Sequence, residues 1–196
     1  MVWCGSSAKG LSKLRVIKGN LNGKGYEEQV LVPFCEEIEE RFDLGEDGER
    51  IDQKVLFDDR HDWVFQQDFA TSHATNANET LCSYLFPKHT PVLKRLSGHP
   101  LYIPPKFDDF WWQERVWGMM CQIVYRSPEP RTVPQLMRRV HEAHQSITVD
   151  QLTRLVHESP ARMQKIYELK GGKIPKGWKA SSSKLACKCT VCRPDL

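Results

Sequence analysis

Two acidic residues stand where one predicted element ends and another begins. Asp68 follows an apolar run at 63–65 (Trp-Val-Phe) and two glutamines, and Glu114 opens a helical pattern after 45 intervening residues. Carboxylates are the oxygen ligands that hard divalent cations such as Mg²⁺ prefer. Residue type alone leaves a structural alternative open, in which Asp68 is a turn residue and Glu114 an acid favoured by the helix dipole.

A second group of metal-ligating residue types lies near the carboxyl end. Cys187, Cys189 and Cys192 form a Cys-x-Cys-x-x-Cys pattern, which would hold Zn²⁺ with a fourth ligand from elsewhere. No fourth ligand is evident, so free thiols are the alternative. The total of seven cysteines is odd and the others are scattered, which favours a reduced, intracellular compartment.

The elements around Asp68 begin with a hairpin and a helix. Short strands at 2–4 and 14–17, joined by a Gly/Ser/Lys turn, predict the hairpin. A short buried strand at 63–65 is predicted to deliver Asp68 at its end. Apolar residues at four-residue spacing predict helical structure with a kink or restart at Pro33. This stripe comprises Tyr26, Val30, Phe34, Ile38 and Phe42.

Helices are also predicted after each of the two acids. One spans Ala70–Leu85 with Ser72 as its cap. Its inner side is predicted to hold Ala74, Ala77, Leu81, Tyr84 and Leu85. The other spans Glu114–Tyr125, with an inner side of Trp117, Met120, Cys121 and Val124. Three more helices are predicted to follow, two of them opened by the capping-box pairs Thr132/Gln135 and Thr148/Gln151 and the last by Pro160.

Composition and charge narrow the class of protein. With 40% hydrophobic and 27% charged residues, the chain is typical of a soluble globular domain, and no apolar run is long enough to span a membrane. Residues 1–98 carry four more acids than bases, whereas residues 99–196 carry seven more bases than acids. A polyanion such as nucleic acid would therefore bind to the carboxyl-terminal half. The alternative is that these basic residues form an ordinary solvated surface.

Two sequence motifs resemble those of the mariner-type transposases of the DDE superfamily. The stretch from Trp63 to His73, Trp-Val-Phe-Gln-Gln-Asp-Phe-Ala-Thr-Ser-His, resembles the family signature Gln-Gln-Asp-Asn-Ala-Pro followed by His. The stretch from Ile103 to Gly118 is similar to Trp-Pro-Pro-x-Ser-Pro-Asp-Leu-Asn-Pro-Ile-Glu-Asn-x-Trp-Gly. Further similarity at 1–26 and 160–172 extends the resemblance over about residues 1–175.

The resemblance implies an α/β fold, a ribonuclease H-like mixed sheet flanked by helices with a helical carboxyl-terminal part. It also implies Mg²⁺- or Mn²⁺-dependent cleavage and strand transfer of DNA in the nucleus. Asp68 and Glu114 match the second and third acids of the catalytic Asp-Asp-Glu triad, and both would bind metal. Asp109 would shape the loop before Glu114. DNA is the expected partner, and a homodimer is left open.

The chain departs from the family pattern at several positions. In the family, the first catalytic Asp and the central strand come immediately before the segment that residues 1–3 resemble. The domain at 1–170 is therefore expected to be amino-terminally incomplete and inactive. Asp58 and Asp59 are the nearest substitutes for that acid, and Phe69 replaces the family's Asn. Residues 171–196 read as a basic, Cys-containing flexible tail. The alternative function is a non-catalytic, transposon-derived module that binds nucleic acid or another partner.

Overall fold

The protein divides into two compact units, Met1–Lys106 and Phe107–Leu196. The structure is a computed structural model that describes residues 1–42, 56–57, 62–100, 102 and 111–180. Asp68 belongs to the first unit and Glu114 to the second. None of the described helices is long and apolar enough to cross a membrane.

The first unit opens with the predicted hairpin. Strands β1 (Val2–Trp3) and β2 (Arg15–Val16) pair antiparallel as a two-stranded sheet. Elsewhere in the described residues, strand pairing is limited to isolated bridges, one of them a parallel bridge between Phe65 and His89. The described part of the chain is therefore rich in helix with a small sheet. The strand predicted at 63–65 is an extended segment with a single bridge.

Helical backbone then runs without interruption from residue 23 to residue 42. It consists of α1 (Gly23–Tyr26), a π-helical turn (Glu27–Leu31) and α2 (Val32–Phe42). Pro33, the second residue of α2, lacks an N–H and would clash with the carbonyl four residues earlier in a regular α-helix. A wider π-turn before it relieves that clash, so the predicted kink is a change of helical pitch.

The predicted apolar stripe of this helix faces the core of the first unit. Four of its members are at most 4% exposed: Tyr26, Val30, Phe34 and Ile38. Phe34 lies at the centre, where its ring contacts those of Trp3, Trp63, Phe65 and Phe86. Burial of one such side chain contributes about 2 kcal/mol. Helix and extended segment are thus held together by an aromatic cluster.

Helix α3 (Asn76–Leu85) differs from its prediction at its start and in its buried face. Thr75 caps it, because its hydroxyl accepts the N–H of Asn78 at 3.1 Å, so the predicted cap at Ser72 is wrong. Ala77 and Tyr84, placed inside by the pattern, are exposed. The buried positions are instead Asn78, Glu79 and Cys82.

Tertiary hydrogen bonds explain why α3 buries polar side chains. The Asn78 amide donates to the carbonyls of Gly23 and Ser72, at 3.0 and 2.8 Å. The Glu79 carboxylate contacts His89 at 2.7 Å and accepts the N–H of Val92 at 3.2 Å. Buried polar groups are tolerated when they are paired in this way. Their partners are distant in sequence, so an apolar periodicity does not reveal them.

The second unit is helical in its described part. It contains α4 (Trp112–Val124), α5 (Val133–Ser146), α6 (Val149–His157) and α7 (Ser159–Glu168). Helix α4 packs against α5 and α6, and α6 packs against α7. All four helices were predicted, and each begins within two residues of its predicted start.

The inner face of α4 agrees with the prediction at Met120 and Val124, whereas Val116 is buried in place of Trp117. Val116, Met120 and Val124 are buried at four-residue spacing, whereas Cys121 is exposed, so its inward placement is wrong. The predicted capping box at Thr148 is present in full. At Thr132 the hydroxyl accepts the Gln135 N–H, but the Gln135 side chain returns to the N–H of the preceding residue, 131.

Candidate functional site

Asp68 is presented by an extended segment that alternates between buried and exposed residues. Trp63, Phe65 and Gln67 are buried, whereas Val64 and Asp68 are exposed. The segment is anchored at Phe65, whose N–H donates to the carbonyl of residue 88 at 2.8 Å and whose carbonyl accepts from residue 90 at 2.9 Å. Extended backbone turns successive side chains to opposite sides, which brings Asp68 to the surface.

The Asp68 carboxylate is held by a turn that follows it directly. Its Oδ1 accepts the N–H of Ala70 at 3.2 Å and lies 2.6 Å from Nδ1 of His73. The His73 side chain is 13% exposed, whereas that of Asp68 is 64% exposed. Both contacts use Oδ1, so within the described residues Oδ2 is the oxygen that remains available to a cation.

The same contacts keep Asp68 ionised. Its hydrogen bond with His73 is the largest influence and lowers the pKa of Asp68 from its ordinary value. Partial burial opposes this shift, and the charge of His73 and the Ala70 N–H reinforce it. Asp68 is therefore an anionic oxygen donor of fixed orientation throughout the neutral range.

The ring of His73 packs against the buried side chain of Tyr26. The ring centroids of Tyr26 and His73 are 4.0 Å apart, with 32° between the ring planes. The Tyr26 hydroxyl donates to Oε1 of Gln67 at 2.8 Å, and the Gln67 amide lies 3.8 Å from Sγ of Cys82. Burial raises the pKa of the Tyr26 hydroxyl well above its ordinary value, with Cys82 and Asp68 adding to the shift. The hydroxyl is therefore a donor at neutral pH.

Sequence reasoning missed Tyr26 and Gln67 as neighbours of this site. The available signal was a tyrosine in an otherwise apolar stripe, because a buried hydroxyl needs a partner. Phe69, where the family pattern has Asn, packs edge-to-face on Tyr102 at 5.5 Å. The substitution at that position thus has a packing role.

Glu114 is exposed in the first turn of α4. Its neighbour Arg115 forms an ion pair with Glu158, which links the start of α4 to the junction of α6 and α7. The structure brings Asp68 together with His73, while Glu114 lies in the other unit. An exposed carboxylate at a helix start has the chemistry of a cation ligand and also that of a dipole partner.

Several predicted ligands fall outside the described residues: Asp58, Asp59, Asp109, Cys187, Cys189 and Cys192. Within the described ranges, no group of three or more His, Cys, Asp or Glu side chains is arranged to hold a metal ion. The donor types at Asp68 and Glu114, both carboxylates, nevertheless suit Mg²⁺ or Mn²⁺ better than Zn²⁺.

Comparison with known proteins gives a match at the level of structure. No protein-family model and no curated protein sequence matches the chain. Solved structures do match, among them the catalytic domain of Mos1 mariner transposase and the Mos1 transposase catalytic domain with raltegravir and Mn. Each has a TM-score of 0.63 at 14% identity and covers 89% of this chain, with 76% of the Mn-containing chain and 74% of the other matched. The resemblance to mariner-type transposases is thus confirmed in the fold: this chain has the fold of a mariner transposase catalytic domain.

Proposed function

We propose that this chain is a catalytic domain of the DDE transposase type, the type that cleaves and rejoins nuclear DNA with Mg²⁺ or Mn²⁺, and that it has little or no cleavage activity by itself. The observation that carries the proposal is the Asp68 carboxylate, exposed, ionised and oriented by His73, at the position of the family's second acid. The proposal includes a ribonuclease H-like sheet, a domain over 1–170 and a basic tail over 171–196. It also includes Glu114 as the second carboxylate at the metal.

The roles of the residues follow from their chemistry. Bound divalent ions would polarise a phosphodiester and activate the attacking oxygen. Asp68 would offer Oδ2 to such an ion, while its Oδ1 stays engaged with His73 and the Ala70 N–H. Glu114, exposed at the start of α4, would add a second anionic oxygen donor.

Motif positions within these 196 residues supply two acids of the triad. We therefore propose that the chain by itself binds metal ions but cleaves DNA at most weakly, because the Asp-Asp-Glu chemistry needs a third carboxylate. Nicking of supercoiled plasmid in Mn²⁺ that disappears in Asp68→Asn would contradict the proposed inactivity and leave the metal assignment intact.

Calorimetric titration of Mn²⁺ tests the metal assignment. The unmodified chain should show saturable binding, and Asp68→Asn and Glu114→Gln should each weaken it by at least about tenfold. Asp150→Asn is the matched control, since Asp150 is also an exposed acid in the first turn of a helix. Absent binding in the folded chain, or equal loss in the control, would contradict the proposal.

A second candidate function, nucleic-acid binding without catalysis, is favoured by the segment after α7. Lys170, Lys173, Lys176 and Lys179 are exposed there, and no acid lies among them. Trp178 lies 5.9 Å below the guanidinium of Arg162. Such a segment suits phosphate contacts with one aromatic for base stacking.

Salt dependence tests this second function. The logarithm of the binding constant for duplex DNA decreases as the logarithm of the salt concentration increases. If the four lysines contact phosphates, this dependence should become less steep by up to about 0.9 for each lysine changed to Gln. The control is the full chain with Lys9→Gln and Lys18→Gln, two substitutions in the first unit. An unchanged slope in the variant with all four lysines of the segment changed to Gln would contradict this second function.

A further inference from the structure

We infer that Tyr26 is a positioning residue for the candidate metal site, because its buried ring supports His73, which in turn fixes the carboxylate of Asp68. This inference rests on the proposed function in one respect, namely that Asp68 binds a metal ion. Its structural part, the support of His73 by Tyr26, can be tested in the metal-free protein.

The first step is the contact between the two rings. Tyr26 is 1% exposed, and its ring lies 4.0 Å from that of His73 between centroids, tilted by 32°. One face of the imidazole is therefore covered. With Nδ1 directed at Asp68 at 2.6 Å, the ring contact limits the rotation by which the imidazole would leave the carboxylate.

The second step is the anchoring of Tyr26 itself. Its hydroxyl donates to Gln67, which is 6% exposed and directly precedes Asp68 in sequence. The other end of the Gln67 amide lies 3.8 Å from Cys82 on α3. A buried hydroxyl with a single good acceptor has a fixed direction. Tyr26 thus contacts the Asp68 segment on both sides of the acid, through residue 67 and through His73.

A third contact holds the two segments together independently of Tyr26. Nδ2 of Asn78 donates to the Gly23 carbonyl in α1 and to the Ser72 carbonyl in the turn before His73. Asn78 is 1% exposed, and its Oδ1 is buried without a hydrogen-bond partner in the described residues. An unpaired buried oxygen is unfavourable, so the double donation by Nδ2 must offset a penalty at this position.

The alternative is that Tyr26 is only a core residue, like its neighbours on the helix stripe. A core role predicts loss of stability without any specific change at His73. Phe34→Leu supplies the comparison, because Phe34 is equally buried, lies on the same stripe and contacts other rings. Tyr26→Leu removes the contact with His73, and Tyr26→Phe keeps the ring but removes the hydroxyl.

The experiment has two readouts on these three variants, both at one fixed neutral pH. Long-range ¹H–¹⁵N spectra report the tautomer of His73 and the ring-current shift of its carbon-bound protons. Calorimetry with Mn²⁺ reports metal affinity. We expect Tyr26→Leu to abolish the ring-current shift, to reduce the fraction of the Nδ1–H form and to weaken Mn²⁺ binding about tenfold, the usual size of an outer-shell effect. Tyr26→Phe should produce a smaller change, and Phe34→Leu none at His73.

Two results would overturn the inference. One is an unchanged His73 spectrum in folded Tyr26→Leu, and the other is an equal change in Phe34→Leu. If the unmodified chain does not bind Mn²⁺, the proposed function fails, and the His73 spectra alone then decide whether Tyr26 positions the Asp68–His73 pair.

Discussion

Replacing Gly23 by Ala should destabilise the junction between α1 and α3. A Cβ at residue 23 would lie 2.8 Å from Cγ2 of Thr75, whereas carbon atoms pack at about 3.5–4.0 Å. Thr75 cannot move freely, because its hydroxyl caps α3. The methyl group must therefore push the cap away or displace α1, whose Gly23 carbonyl accepts from Asn78.

The size of this effect follows from the competing contributions. Overpacking of a tight contact costs about 1–3 kcal/mol, and loss of a threonine cap about 1 kcal/mol. Alanine offsets at most about 1 kcal/mol through its better helix propensity. We expect Gly23→Ala to lower the local free energy of opening by about 1–2 kcal/mol. Hydrogen exchange measured by mass spectrometry on peptides covering 23–42 and 76–85 gives this quantity directly.

A double-mutant cycle isolates the steric term. Thr75→Ser removes the Cγ2 methyl and keeps the capping oxygen, so by itself it should change the opening free energy by less than about 0.5 kcal/mol. Combined with Gly23→Ala, it should restore most of the loss, with a coupling energy of about 1 kcal/mol. Additive effects of the two changes would refute the assigned contact.

The remaining predictions concern other buried and capping groups. Burial raises the pKa of the Cys82 thiol to about 12, so at pH 8 it should resist iodoacetamide while the exposed Cys121 is alkylated, as read by site-resolved mass spectrometry. Because its pKa is raised on folding, the stability contributed by the protonated thiol is complete below pH 9 and is lost as the pH rises towards 12, which alkaline unfolding curves should show. Glu37→Ala should lower the free energy of unfolding, measured by urea titration, by about 3 kcal/mol. The reason is that the Glu37 carboxylate is 1% exposed and forms an ion pair with the guanidinium of Arg15 at 2.7 Å. Thr148→Ala should cost about 1 kcal/mol and more than Thr132→Ala, because only the first belongs to a reciprocal capping box, and thermal unfolding compares the two.

Each of these predictions has a clear contrary result. Equal alkylation of the two thiols in the folded protein would show that Cys82 is accessible. A decrease of less than about 1 kcal/mol in the free energy of unfolding of Glu37→Ala would show that loss of this buried carboxylate costs little stability. Equal effects of the two threonine substitutions would show that the returning glutamine hydrogen bond adds no stability.

Local signals were sufficient for most helices. The stripe from Tyr26 to Ile38 and the caps at Thr132 and Thr148 depend on residues three or four apart, which the sequence displays directly. The extended run before Asp68 was also placed correctly, although a single bridge at Phe65 takes the place of a strand.

The errors arose where distant residues decide the outcome. Helix α3 was given an apolar inner face, yet Asn78 and Glu79 are buried because Gly23 and His89 provide their partners. The support of His73 by Tyr26 likewise joins residues 47 positions apart. Periodicity cannot report such pairings, since it describes one segment at a time.

The Asp68 side of the site was predicted in part. The motif identified Asp68 and His73, and the structure supplies the 2.6 Å contact that makes one orient the other. Glu114 was predicted at the start of a helix, where it lies. A shared role for the two acids at one metal ion remains a proposal that rests on their motif positions.

Paramagnetic broadening by bound Mn²⁺ tests that central claim most directly. In ¹H–¹⁵N spectra of the folded chain, substoichiometric Mn²⁺ should broaden the amide signals next to Asp68 and those next to Glu114 in parallel, and Asp68→Asn should abolish both effects. Broadening around one acid that leaves the other untouched, or that persists in Asp68→Asn, would contradict a metal ion shared by the two carboxylates.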